Sequence, residues 1–307
     1  MRRSFAAVAL LAIAVTGLVL LNGNLRGKVP RVIAEQRAIY NQRPAPEGTV
    51  HDDIVYRRGL FNRQELDIYM PIKEKGGERA GPPLSGLPTV VFFHGGSWMH
   101  GDKDDIRVID RFLDKMRREG WAVASVNYVT SPIRLLEGPS RNVRSALSWL
   151  KKNGLEYGLD PRNMGIYSVS AGSHLVMEAL VASDRPEEEW RFWLNEYGPV
   201  NLLKMADGDA FDSSERLSRF PTAYLRKHSP LLDVTKPFPP TAIVHGNADR
   251  TVALSQSERL AERLAGVGTE VSLKIIPGGD HGFFNKSQDD WMEMEDEFII
   301  FMRRHFH

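Results

Sequence analysis

Four short segments hold the residue types that acyl-transfer chemistry needs. Ser168-Val169-Ser170-Ala171-Gly172 sets a serine among small residues, where a sharp turn between a strand and a helix can lift the hydroxyl toward a substrate. Ser170 is the candidate nucleophile. His94-Gly95-Gly96-Ser97-Trp98 is glycine-rich, so its backbone can approach a ligand and turn several N–H groups toward one point, the requirement for stabilising an oxyanion. Taken alone, this segment has the tight turn as its lesser reading. His245-Gly246-Asn247-Ala248-Asp249 offers a carboxylate, and Pro277-Gly278-Gly279-Asp280-His281-Gly282-Phe283 offers an imidazole. Asp280 is the alternative acid, but adjacent side chains on an extended segment point apart, which favours Asp249.

The elements around these segments decide whether they can meet. Apolar runs alternate with helix-like stretches. Strands are expected at Thr49–Arg57, Glu65–Met70, Thr89–Phe93, Trp121–Tyr128, Met164–Val169, Thr241–His245 and Glu270–Ile276. Helices are expected at Ile106–Arg118, Val143–Asn153, Ala171–Val181 and Ser255–Leu264, with a last one from about Ser287 whose acids lead and whose arginines follow, matching its dipole. Strands alternating with helices in this way imply βαβ units and a mainly parallel sheet with helices on both faces. All four chemical segments then fall at C-terminal strand ends. The stretch 73–87 is a polar, Gly/Pro-rich loop. Residues 203–228 break the rhythm with acids, arginines and aromatics, and read as a small cap insertion or as one ordinary helix with loops.

The order Ser170, Asp249, His281 along such elements resembles the α/β-hydrolase order of serine, acid and histidine. From about Val50 to the C-terminus the chain resembles serine esterases of the hormone-sensitive-lipase-like and BD-FAE-like carboxylesterase groups. Leu66-Asp67-Ile68-Tyr69-Met70-Pro71, Ser125-Val126-Asn127-Tyr128 and Tyr157-Gly158-Leu159-Asp160-Pro161 carry further likeness, while Ser168 and Ser173 stand where glycine is common. The resemblance implies an α/β-hydrolase fold that hydrolyses short-chain or aryl carboxylic esters. His281 would act as base for Ser170, Asp249 would orient His281, and the N–H groups of Gly96, Ser97 and Ala171 would form the oxyanion hole, Gly95 substituting on a one-residue shift of register, with no cofactor or metal. The same residues would serve an arylformamidase-like amidase, an exopeptidase or a silent binding member of the fold. His94 is expected to pack behind the glycine loop, and His51, His100, His174 and His245 to be structural or exposed. Trp98, Tyr128, Trp190 and Phe284 line a pocket or belong to the core.

Charge and composition narrow the partners. Lys plus Arg number 40 and Asp plus Glu 39, which speaks against nucleic acid, whose binders carry a basic excess. The absence of cysteine removes thiol chemistry and disulfides. Residues 1–31 carry Arg2, Arg3, Arg26, Lys28 and Arg31 and no acid, which is +5 and leaves −4 on the remainder. After Arg2 and Arg3, Phe5–Leu21 is free of charge. This is the pattern of an export signal or a short uncleaved membrane anchor, with a buried helix as the third reading. The expected organisation is therefore a targeting or anchoring segment at 1–31 and a catalytic domain at 32–307, exported or anchored with the domain outside the cytoplasm. The expected partner is a small-molecule ester.

Overall fold

The computed structural model describes residues 46–58, 64–72, 85–131, 135–209 and 217–306. The segment expected to target or anchor the chain, the loop at 73–84 and residues 210–216 of the expected cap lie outside the described residues. Eight strands form one sheet: β1 (Val50–Arg57), β2 (Gln64–Tyr69), β3 (Leu87–Phe93), β4 (Ala122–Val126), β5 (Leu159–Val169), β6 (Trp193–Glu196), β7 (Thr241–Gly246) and β8 (Val271–Ile276). Their order is β1-β2-β4-β3-β5-β6-β7-β8. The β1–β2 and β2–β4 pairs are antiparallel, and every pair from β4 to β8 is parallel.

Strand β3 shows how the residues build three layers, because its alternate side chains leave on opposite faces. Val90 and Phe92 join a core with Phe112, Leu113 and Met116 of α1 (Asp110–Arg118) and with Phe298 and Met302 of the C-terminal helix Gln288–His305. Val91 and Phe93 join the opposite core with Val143 and Leu147 of α2 (Glu137–Asn153) and Leu175 of α3 (Ala171–Ala182). The second face also holds Leu260 and Leu264 of α5 (Leu254–Gly266), which follows the short α4 (Thr222–Lys227); the C-terminal helix is α6. A strand buried on both faces tends to a near-continuous apolar run, which is how Thr89–Phe93 comes to read TVVFF.

Several elements depart from the sequence expectation. The helix expected from Ile106 starts at Asp110, after a 3-10 turn over Lys103–Ile109. Strand β6, with sequence WLNE, was not foreseen, because four residues that include Asn and Glu give no apolar pattern. It is nonetheless buried throughout. Asn195 and Glu196 find partners there: Asn195 Oδ1 accepts the Gly198 N–H, and Glu196 Oε1 accepts the Tyr167 hydroxyl. Strand β5 begins at Leu159 rather than Met164, since Leu159 pairs with Leu87 across a register shift. Helix α2 begins at Glu137, just ahead of the Pro139 and Ser140 that mark its start in the sequence; its first turn meets polar groups, the Ser140 hydroxyl donating to Glu178 of α3 and Glu137 pairing with Lys227 and His228.

The expected cap region packs on that early turn of α2. Phe220 stacks on Tyr224 at 5.2 Å, and the Tyr224 hydroxyl accepts the Leu136 N–H at 2.8 Å. Among the described residues no helix is long and apolar enough to cross a membrane.

Candidate active site

Strands β4 and β5 lie on opposite sides of β3, so the connections leaving β3 and β5 diverge. Ligands of open α/β sheets bind in the crevice that such a divergence opens at the strands' C-terminal ends. The glycine loop leaves β3 there, and the Ser170 turn leaves β5.

Ser170 links β5 to α3 with φ 51° and ψ −119°, a conformation that costs a non-glycine residue about 1–3 kcal/mol and persists only where its surroundings impose it. The surroundings do. The Ser170 N–H donates to the Glu196 carbonyl at 2.9 Å at the end of β6, and the His174 N–H donates back to the Ser170 carbonyl at 3.3 Å. Gly172 packs so closely on the end of β3 that an added Cβ would lie 2.4 Å from the His94 carbonyl oxygen. Ser168, the departure from glycine two residues before the nucleophile, has its own partners. Its Oγ accepts the Trp193 indole N–H at 2.8 Å and donates to the Leu194 carbonyl at 3.3 Å, so β6 supplies what a glycine would not need.

The glycine loop runs beside this turn. Gly96, Ser97 and Trp98 take φ of 108°, 54° and 63° in succession, and a Cβ on Gly95 would sit 3.3 Å from the Ser170 Cβ. Ala171 opens α3, so its N–H is one of the donors a helix leaves without an intrahelical acceptor. The glycine loop thus lies against Ser170 at Gly95, with Gly96 and Ser97 next along it, and Ala171 directly follows the serine. His94 packs behind them: fully buried, its ring stacks on Tyr128 at 4.1 Å, and burial pushes its imidazole down to about 4 against the opposing bond to Gly95. A ring held neutral and turned into the core does not serve as the base. Tyr128 and Trp190 are core residues, as is Trp98, whose indole N–H donates to His174 Nδ1 at 3.2 Å.

The acid and the imidazole come from neighbouring strands. Strands β7 and β8 pair in parallel, and their following loops touch: the Ala248 N–H donates to the Gly279 carbonyl at 2.9 Å. Gly246 permits the approach, because a Cβ there would lie 2.1 Å from the Gly279 oxygen. The result is a continuous chain. Ser170 Oγ lies 3.0 Å from His281 Nε2, and His281 Nδ1 lies 2.7 Å from Asp249 Oδ2. Asp280 is turned away, its carboxylate accepting the Asn285 N–H, so adjacency in sequence did not make it the partner. Burial pushes the Asp249 carboxyl up, but the charge of His281 and the bonds from His245 and His281 outweigh it and hold Asp249 well below the usual carboxylate range.

Sequence reasoning missed two contributors. His245, expected to be structural or exposed, is completely buried with Nε2 3.1 Å from Asp249 Oδ2. Tyr197, at φ 39°, sets its ring edge-on to His281 with centroids 4.6 Å apart. The one available signal was that His245 lies near the end of the strand whose following loop carries Asp249; Tyr197, following the unforeseen β6, gave none. Among the described residues no group of three or more His, Asp or Glu is arranged to hold a metal ion.

A serine hydroxyl bonded to an imidazole whose other nitrogen is held by a buried carboxylate, on this sheet order, defines a molecule of the α/β-hydrolase fold. The BD-FAE family model matches residues 66–264, more than half of the chain, and the protein belongs to that family. The match takes in the glycine loop, Ser170 and Asp249, and ends before His281. Esterase LipC of Mycobacterium tuberculosis is 26% identical over 275 residues, 78% of this chain and 64% of that protein. A probable isoprenylcysteine alpha-carbonyl methylesterase of Arabidopsis thaliana is 24% identical over 255 residues, 76% of this chain and 51% of that protein. The chain therefore spans between half and two-thirds of the length of these relatives. Among solved structures, inhibited esterase B of Lactobacillus rhamnosis superposes with a TM-score of 0.71 at 19% identity, covering 93% of this chain and 96% of the other. That likeness is one of fold.

Proposed function

We propose that the protein is a serine carboxylesterase that hydrolyses short-chain or aryl carboxylic esters through an acyl-enzyme on Ser170. The observation that carries the reading is the unbroken line from Ser170 Oγ through His281 to the buried Asp249 carboxylate. The esterase names of its relatives support it.

In this reading Ser170 Oγ attacks the acyl carbon while its proton passes to His281 Nε2. The carbonyl oxygen takes up negative charge and meets the N–H groups of Gly96, Ser97 and Ala171, donors fixed before the substrate arrives. Losing one such donor typically costs about 3–4 kcal/mol in the transition state. Collapse of the tetrahedral species breaks the ester C–O bond, and Nε2 returns the proton to the departing alcohol. Water then attacks the acyl carbon while His281 Nε2 takes its proton, and collapse breaks the bond to Ser170 Oγ, to which Nε2 returns the proton as the carboxylic acid leaves. Asp249 orients the ring and stabilises the imidazolium without taking its proton.

The segment around Phe220 and Tyr224 is read as a small cap beside the crevice. Residues 1–31 are read as an export signal or anchor that carries the domain out of the cytoplasm, supported by their +5 charge and uncharged run. The test of the activity uses the full chain with p-nitrophenyl acetate and butyrate, phenyl acetate, a formyl anilide and a dipeptide anilide. Turnover of the esters, abolished by Ser170→Ala, is the expected outcome. Turnover confined to the amides, or esterase activity that survives Ser170→Ala, overturns the reading.

A further inference from the structure

Asp249 accepts more hydrogen bonds than orienting one imidazole requires. Its Oδ1 takes the N–H groups of Thr251 and Val252 at 2.8 and 2.9 Å. Its Oδ2 takes two imidazoles, His281 Nδ1 at 2.7 Å and His245 Nε2 at 3.1 Å. The side chains of His245 and Asp249 are both without solvent exposure. The hydrogen on His245 can be placed from its neighbours. Nε2 also lies 2.8 Å from the Val252 carbonyl oxygen, an atom that only accepts, so Nε2 carries the hydrogen and shares it between that oxygen and Asp249. In the neutral ring Nδ1 is then an acceptor, and it takes the hydroxyl of Ser257, buried on α5, at 2.7 Å.

The donors thus converge on one carboxylate from two sides. Ser257 donates to His245 and His245 to Asp249; Ser170 donates to His281 and His281 to Asp249. A carboxylate turns easily about its terminal torsion, which is broad and roughly two-fold. Here the two amides hold one oxygen, and His245 holds the other in line with His281.

We infer that His245, backed by Ser257, is a positioning residue that keeps Asp249 Oδ2 aimed at His281 Nδ1 and keeps the carboxylate anionic through turnover. The inference rests on the proposed reaction at Ser170. A donor to the charged form of an acid favours that form. Removing it leaves a more basic carboxylate, with Oδ1 still held by the two amides but Oδ2 bonded by His281 alone, that draws the proton on His281 more strongly and aims it less well. The other titratable groups around the pair are Tyr197, whose ring stands edge-on to both imidazoles, and beyond it Glu196 and Asp280.

The experiment compares His245→Leu, His245→Gln and Ser257→Ala in the full chain. Values of kcat and KM for p-nitrophenyl butyrate are measured from pH 5 to 9 beside a thermal unfolding curve. His245→Leu is expected to lower kcat by roughly tenfold or more with KM changed by less than about threefold, the signature of an interaction used in the transition state. It is also expected to move the acid limb of kcat/KM upward by roughly one pH unit, as loss of a bond to a charged acceptor implies. His245→Gln places an amide N–H where Nε2 stands, and should recover most of kcat and return the limb toward its wild-type position. Ser257→Ala should move both quantities in the same direction by less. A packing role alone would lower the unfolding temperature and leave the limb in place, and a folded His245→Leu with wild-type kcat and limb overturns the inference. Where His245→Leu does not fold, Ser257→Ala decides: a displaced limb supports the inference and an unmoved limb with unmoved kcat overturns it. A wild-type protein inert toward every ester overturns the proposed reaction and this inference with it, whereas an active wild type with indifferent variants overturns the inference alone.

Discussion

Glu196→Gln isolates the cost of holding a carboxyl group inside the sheet next to the nucleophile. Glu196 is the last residue of β6 and only 2% exposed, and its carboxyl accepts the Tyr167 hydroxyl at 2.9 Å as well as that of Tyr197. Burial pushes it up to about 7, with the two phenols opposing and Glu295 adding to the rise. The folded protein therefore holds this proton more tightly than the unfolded chain, whose carboxyl titrates near 4.5. Between those values the native state binds more protons than the unfolded state, so stability falls as pH rises through the window and the loss is complete above about 7. A difference of about 2.5 units at 1.36 kcal/mol each is about 3 kcal/mol. Glutamine keeps the shape, accepts from Tyr167 and can donate to the Tyr197 oxygen, while carrying no charge to bury. Its effect should be near zero or slightly destabilising at pH 5 and should grow to a gain of up to about 3 kcal/mol at pH 8.5. For a domain of this size that is roughly 5–10 °C in Tm. Scanning calorimetry of both proteins across pH 4.5–8.5 measures the difference directly. A Tm difference that is flat with pH, or that falls toward alkaline pH, would refute a buried ionisable Glu196 and the reasoning built on it.

Two further substitutions probe the supports of the site. Ser168→Ala leaves the buried Trp193 indole N–H without its acceptor, so denaturant unfolding should show a loss of about 1–3 kcal/mol, with kcat changed only a few-fold; unchanged stability would mean that the hydroxyl is dispensable. Gly246→Ala drives a Cβ to within 2.1 Å of the Gly279 oxygen and must push the Asp249 and His281 loops apart. A displacement of about 1 Å costs roughly a hundredfold in kcat, and wild-type kcat in the variant would show that the two loops need not touch.

The parts of this architecture legible in the sequence are those set by local pattern. Thr89–Phe93 declares a two-faced strand by its unbroken apolar run, and Ser170, Asp249 and His281 each follow a strand beside glycines that a close approach requires. Strand β6 was illegible because Asn195 and Glu196 become acceptable inside only when Gly198 and Tyr167 meet them, and those partners arrive through the fold. His245 was illegible for the same reason. Its two ring nitrogens are satisfied by Val252, Asp249 and Ser257, and no spacing along the chain distinguishes such a ring from an ordinary core histidine. Ser168 looked like an imperfect glycine until Trp193 supplied the reason for a hydroxyl.

The central claim is that Ser170 is the nucleophile, activated by His281. Its most direct test is mass spectrometric mapping of the protein after stoichiometric reaction with a p-nitrophenyl phosphonate. The account predicts one adduct, on the peptide that contains Ser170, formed with release of one p-nitrophenol and absent from Ser170→Ala. An adduct on another residue, or one that persists in Ser170→Ala, would contradict it.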